Sequence, residues 1–232
     1  MTRSPAASSR ARVAAGVRTA TPWAVLGILL VVAFGLTLRF VIGGTIGPLG
    51  PDEWWHGTAA VSRGSAPSAI AIFFAEIGGG VGAAACAAIA AALLLALRRP
   101  RDAAAVATAM LFGVIASETL KAIVLRPRPW DQLYASHGSS FPSGHSLGAA
   151  ALAISLILVV AAADEVPRAA VRWAWAAGIG WIVLMMWSRT ALHVHWLTDT
   201  VAGAVLGACF AILARRFWFR RDITALRSPG PR

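Results

Sequence analysis

The chain has 232 residues, 58% of them apolar and only 13% charged, a balance too hydrophobic for an ordinary water-soluble domain. Its formal charge of +11 invites a nucleic-acid reading, but most arginines stand in tails and short turns between apolar runs, where membrane orientation explains them. Cys86 and Cys209 both fall inside apolar runs, so a disulfide framework and a Cys/His zinc module are excluded and two small buried hydrophobes are expected.

The first twenty residues hold four arginines and no acid and read as a disordered basic cytoplasmic tail. The apolar run over about 22–42 is too long for a signal-peptide core and lacks a small-residue cleavage site. It is expected as a retained first span, with Arg39 snorkelling at its outer end. Residues 43–68 form a Gly/Pro-rich connection containing Asp52, Glu53, Trp54, Trp55 and His56, and the paired tryptophans suit an interfacial segment. A second span is expected over about 69–97. Its Gly78-Gly79-Gly80 and many alanines let helix backbones approach closely, and Glu76 within it must be paired or near the outer surface.

A basic turn with Arg98, Arg99 and Arg101 leads to a third span over about 103–125, which Pro127 and Pro129 prevent from continuing as regular helix. Further spans are expected at about 143–163, at about 169–187, and from near Asp199 to the RRFWFRR segment. Each run approaches the roughly 20 residues that a bilayer crossing needs. The fold class is all-α: an integral membrane bundle of six transmembrane helices over 21–217, flanked by basic cytoplasmic tails at 1–20 and 218–232. With both termini inside, the arginine-bearing 98–102 and 164–172 connections also lie inside, as the positive-inside rule requires. The two stretches richest in chemistry, 121–145 and 188–199, then share the outer face.

In those stretches the order is Lys121, Arg128-Pro129, Pro142-Ser143-Gly144-His145, Ser188-Arg189, His195 and Asp199. Lys121 is the chain's only lysine and offers a compact point charge, while Arg128 and Arg189 offer planar bidentate donors for an oxyanion. Ser143 offers a hydroxyl. Gly144 admits close backbone approach at a helix start, whose free N–H groups and dipole favour negative charge. His195 and Asp199, spaced i, i+4, share a helical face, so the carboxylate can take the proton of one ring nitrogen and leave the other free to attack. His193 lacks that spacing and is expected to be a loop or packing residue. His56 and His137 are expected to be solvated, and Glu118 to form a structural ion pair with Lys121. Trp130, Trp187 and Trp196 are expected in an aromatic belt.

Written as K-x6-R-P, P-S-G-H and S-R-x5-H-x3-D, these residues closely resemble the three-part signature of the type 2 phosphatidic acid phosphatase superfamily, over roughly residues 69–215. The resemblance implies a membrane phosphatase in which His195 attacks phosphorus to form a phosphohistidine. His145 then protonates the leaving oxygen and later activates water. Asp52 and Asp131 stand too far apart in sequence to build a metal cluster. No metal and no cofactor is therefore expected, in keeping with the family. The expected partners are the membrane and a lipid phosphate or diphosphate, of the undecaprenyl diphosphate, phosphatidic acid or phosphatidylglycerol phosphate type, with no nucleic acid. A transporter or channel would keep its polar groups near the bilayer midplane, often in repeated halves, whereas here they stand at span ends. A vanadium haloperoxidase shares the signature, but those relatives are soluble.

Overall fold

Alanine, leucine and valine fill the apolar runs, while most of the proline and charge gathers between them. The runs therefore close their own backbone hydrogen bonds as helices, as a bilayer core demands. The computed structural model describes residues 8–41 and 47–220. The regular elements among these are α1 (Ser9–Phe40), α2 (Gly50–Ala59), α3 (Ala66–Ile77), α4 (Gly80–Ala96), α5 (Pro100–Val124), α6 (Gly144–Ala161), α7 (Arg168–Ala191) and α8 (Leu197–Trp218). Five of them (α1, α5, α6, α7 and α8) are long and apolar enough to cross a membrane, and the bent pair α3–α4 makes six when counted as one broken span. The chain is a multi-pass membrane protein.

Two expectations need correction. The second span is not one helix: α3 and α4 meet at a bend of 58°. The glycine triplet causes it, because glycine is a poor helix former and Gly79 adopts an extended conformation as the N-cap of α4. Residues 9–20, expected as disordered tail, already belong to α1. The Ser8 hydroxyl accepts from the Ala11 N–H at 3.2 Å, and the Ser9 N–H donates to Asp164 at 2.6 Å. The start of the helix is thus both capped and tied to the α6–α7 connection. Residues 1–7 and most of the 218–232 tail lie outside the described residues.

The start of α1 and the α6–α7 connection occupy the same end of the bundle as the α4–α5 turn and the end of α8. There Arg101 donates to the Trp218 carbonyl, Arg99 to the Val159 carbonyl, and Asp102 pairs with both Arg99 and Arg215. The two motif stretches meet at the other end, above a core of Val31, Leu38, Leu120, Val124, Phe141, Leu147, Ala202 and Leu206. That core joins α1, α5, α6 and α8.

α6 and α8 touch backbone to backbone through Gly203 and Gly207, one helical turn apart. A Cβ on Gly203 would fall on the Ser143 carbonyl; one on Gly207 would fall on the Leu147 carbonyl and 2.8 Å from the Ala151 nitrogen. This contact sets the start of α8 against the start of α6, and so His195 and Asp199 beside Ser143 to His145. Gly207→Ala is expected to force the helices apart and cost about 1–3 kcal/mol, read as a lower Tm in detergent. An unchanged Tm would show that the helices have room to spare.

Candidate active site

The site begins where α5 must stop. Leu125 takes a left-handed conformation, φ 53°, and the prolines after it lead the chain away. The loop then folds back: the Arg126 N–H donates to Ser139 Oγ at 3.1 Å, the Ser140 N–H to the Arg126 carbonyl at 2.8 Å, and the Ser140 hydroxyl to the Pro127 carbonyl at 3.1 Å. This return delivers Ser143 as N-cap of α6, its Oγ accepting from the Ser146 N–H and hydroxyl. Two backbone bonds join the motif stretches, Ser143 N–H to the Asp199 carbonyl and Leu133 N–H to the Leu192 carbonyl, each 3.0 Å.

Beneath the loop lies an ion triad that the motifs did not reveal. Arg126 is fully buried, with Nη2 at 2.7 Å from Asp52 Oδ2 and Nη1 at 2.7 Å from Asp199 Oδ1. Asp52 also accepts from the Thr198 N–H and hydroxyl, which ties α2 to the start of α8. Asp199 Oδ2 accepts from the Trp196 N–H at 2.9 Å, as an acid at the third position of a helix commonly does. The sequence signal was available: a buried charge must be paired, and Arg126 and Asp52 are charges beside apolar spans.

These duties alter the expected geometry at His195. Its Nδ1 lies 3.8 Å from Asp199 Oδ2 but 2.7 Å from the Ser140 carbonyl. The carbonyl, rather than the carboxylate, takes the ring proton. A carbonyl can only accept, so Nδ1 carries the hydrogen. Arg128 can only donate, and its Nη1 stands 3.2 Å from Nε2, so Nε2 presents its lone pair. Burial pushes the His195 pKa down to about 4; the cationic neighbours Arg128 and Arg189 push the same way, and Asp199 opposes them. The ring is therefore neutral at physiological pH.

His145 is held by the same device. The break between α3 and α4 turns the Gly79 N–H to the Glu76 carbonyl, 3.3 Å, instead of the Ala75 carbonyl that a continuing helix would engage. His145 Nε2 lies 3.2 Å from that freed oxygen and must carry a hydrogen there. A Cβ on Gly79 would sit 3.8 Å from the same nitrogen. The glycine triplet thus does more than let helices approach: it exposes the acceptor that orients His145.

The cations surround these rings. Arg189 is buried, and its Nε and Nη1 have no hydrogen-bond partner. It stands over the Tyr134 ring at 5.7 Å, and the Tyr134 hydroxyl donates to Glu76 at 2.6 Å, which gives Glu76 its expected partner. Lys121 pairs with Glu118 at 2.7 Å; its Nζ would lie 3.5 Å from a Cβ on Gly144. Arg128 is anchored by the carbonyls of His137, Gly138, Ser139 and Val194. Electrostatic interactions link His145 to Arg189, His195 and Lys121, and Arg189 to Arg128. The structure thus brings Lys121, Arg128, Ser143, Gly144, His145, Arg189, His195 and Asp199 into one region.

Three outlying expectations change. His56 is not simply solvated and Asp131 is not isolated, since His56 and His193 both hydrogen-bond Asp131. Trp196 is buried, its Nε1–H donating to the Pro127 carbonyl at 3.0 Å, because it packs inside the loop return rather than in an aromatic belt. Cys86 is only partly buried, whereas Cys209 is buried.

A model of the PAP2 superfamily matches residues 102–223, just over half of the chain. The chain belongs to this superfamily. An undecaprenyl-diphosphatase of Sulfolobus acidocaldarius is 33% identical over 91 residues, which is 39% of this chain and 36% of that protein. The chain thus spans little more than a third of that relative's length. Among solved structures, the first transmembrane PAP2 type phosphatidylglycerolphosphate phosphatase from Bacillus subtilis aligns with a TM-score of 0.70 at 20% identity, over 91% of this chain and 100% of that one. Aquifex aeolicus LpxE aligns with a TM-score of 0.60 at 19% identity, over 74% and 98%. These two share the membrane PAP2 fold.

Arg126→Met would leave two buried carboxylates without their counter-charge. A loss of about 3–5 kcal/mol is expected, with Asp52→Asn costing less because Arg126 keeps Asp199. Unfolding midpoints in detergent test this; an Arg126→Met protein as stable as the wild type would show that the triad does not hold the site.

Proposed function

We propose that this protein is a membrane lipid phosphatase whose site faces the outer side of the membrane, with both termini in the cytoplasm. The observation that carries the reading is the fixed tautomer of His195, a neutral buried imidazole whose lone pair faces Arg128. Beside it, the unpartnered donors of Arg189 suit a phosphoryl oxygen. Phosphoryl transfer needs little more than this, since positioning and electrostatic stabilisation dominate its catalysis. The arginines grouped at the opposite end of the bundle support this orientation.

In the first step His195 Nε2 forms a bond to phosphorus as the bond from phosphorus to the leaving oxygen breaks. His145 keeps Nε2–H on the Ala75 carbonyl, so its open Nδ1 takes the proton that the phosphate brings as P–OH and passes it to the leaving oxygen. In the second step water attacks phosphorus, its proton passes to His145, and the bond to His195 breaks to release inorganic phosphate. Lys121, Arg128 and Arg189 spread over the phosphoryl oxygens, with Ser143, Gly144 and the α6 N-terminus closing one side. Asp199 steadies the assembly through Arg126 and the start of α8 rather than by direct proton capture.

The substrate class we favour is an isoprenoid diphosphate of the undecaprenyl type, with phosphatidic acid and phosphatidylglycerol phosphate as the competing headgroups. The partial likeness to the Sulfolobus undecaprenyl-diphosphatase supports this order. Purified protein offered these lipids with a chelator present should release phosphate, fastest from the diphosphate. Solute flux without phosphate release would overturn the reading. His195→Ala should lower turnover by orders of magnitude while His193→Ala keeps the phosphoryl step; the reverse pattern would remove His195 as nucleophile.

The pH dependence has a definite sign. His195 must be neutral to attack, and its pKa stands lowered to about 4, so the acid limb comes as pH falls through that value. The proton that His145 relays arrives with the substrate phosphate, and its ionisation closes the profile on the alkaline side. The acid limb of kcat/KM for a substrate with no ionisation of its own in that range should lie near 4. A limb at the ordinary imidazole value of about 6.5 would contradict the buried, neutral assignment.

A further inference from the structure

Outside the phosphoryl cradle, three ligand-type side chains from three separate segments converge: His56 on α2, Asp131 in the α5–α6 loop, and His193 in the α7–α8 turn. His56 Nε2 lies 3.1 Å and His193 Nδ1 2.9 Å from the same carboxylate oxygen, Asp131 Oδ2. One ligand atom from each residue lies within 4.8 Å of the others. We propose that this trio binds a divalent transition metal of the zinc class.

The metric fits. A tetrahedral ion bound at about 2.0–2.1 Å separates its ligand atoms by roughly 3.3–3.4 Å, so the two nitrogen–oxygen edges need to open by only a few tenths of an ångström. The donor set, two imidazoles and one carboxylate, suits zinc and its neighbours rather than magnesium or calcium, which prefer oxygen throughout. Three protein ligands leave a fourth position for water.

His193 sits at φ 52°, a left-handed conformation that histidine enters more readily than most side chains, and it is this turn that brings Nδ1 to Asp131. An ion can still enter, because the Asp131 side chain is 42% exposed and that of His56 17%. The Trp130 and Trp196 rings, 5.7 and 5.5 Å from the His56 ring, wall the cluster on one side.

A bound ion would clamp α2 and the loop bearing Arg128 onto the turn that precedes His195. It would stiffen the mouth of the cradle without joining the phosphoryl chemistry. The test uses full-length purified protein, stripped with chelator and titrated with Zn²⁺ alone, and with Co²⁺ for its visible spectrum. One ion per chain, a raised Tm and the absorption of a low-coordinate Co²⁺ are expected. Asp131→Asn and His56→Gln, which keep size and polarity, should each weaken binding by about tenfold or more. His145→Ala and His195→Ala should bind as the wild type does, whether or not they turn over lipid. No uptake by the wild type, unchanged affinity in both ligand variants, or loss of binding in His145→Ala would each overturn the site.

Discussion

A single buried arginine shared between two buried carboxylates fixes the motif end of this protein. Withdrawing three charges from water is costly, and the cost is recovered only when every member is paired. Arg126 at the foot of α5, Asp52 on α2 and Asp199 on α8 therefore have one arrangement in which all three charges are paired. In it the short helix α2 rests on the start of α8 through Thr198 and on the end of α7 through Trp55 and Thr190. The cradle is thus held by three elements that have no local reason to meet.

The same constraint explains how the two histidines are oriented. An aspartate already engaged by Arg126 and by the Trp196 N–H is not free to take the His195 proton, and Ser140 supplies a backbone oxygen instead. His145 draws on a second backbone oxygen, exposed where the α3–α4 span breaks. Both rings are steered by carbonyls that the folding of the main chain sets free. Each is a neutral acceptor that fixes a tautomer without adding charge beside the Lys121, Arg128 and Arg189 cations.

Much of this was legible in the residues alone. The six apolar runs followed from their length, and the all-α membrane bundle from the runs. The order of Lys121, Arg128, His145, Arg189, His195 and Asp199 pointed to one oxyanion cradle. What escaped were features owed to three-dimensional pairing. Glycine in a membrane span signals close packing or a break with equal force, so Gly78 to Gly80 could not announce the bend. Asp52 lies 74 positions from Arg126, too far for any helical spacing rule to link them. His56 and His193 looked idle because their common partner, Asp131, sits in a third segment. Spacing i, i+4 placed Asp199 near His195 correctly, but not the backbone oxygen that outcompetes it.

In the mechanism proposed above, the lone pair on His195 Nε2, held toward Arg128, attacks phosphorus. Rapid-quench trapping with substrate labelled in the transferred phosphoryl group, followed by alkaline digestion and mapping, tests it most directly. An acid-labile label on His195 is expected, building up when His145 is replaced by alanine. Label on any other residue, or inversion of configuration at an isotopically chiral phosphorus, which marks an odd number of displacements, would rule it out.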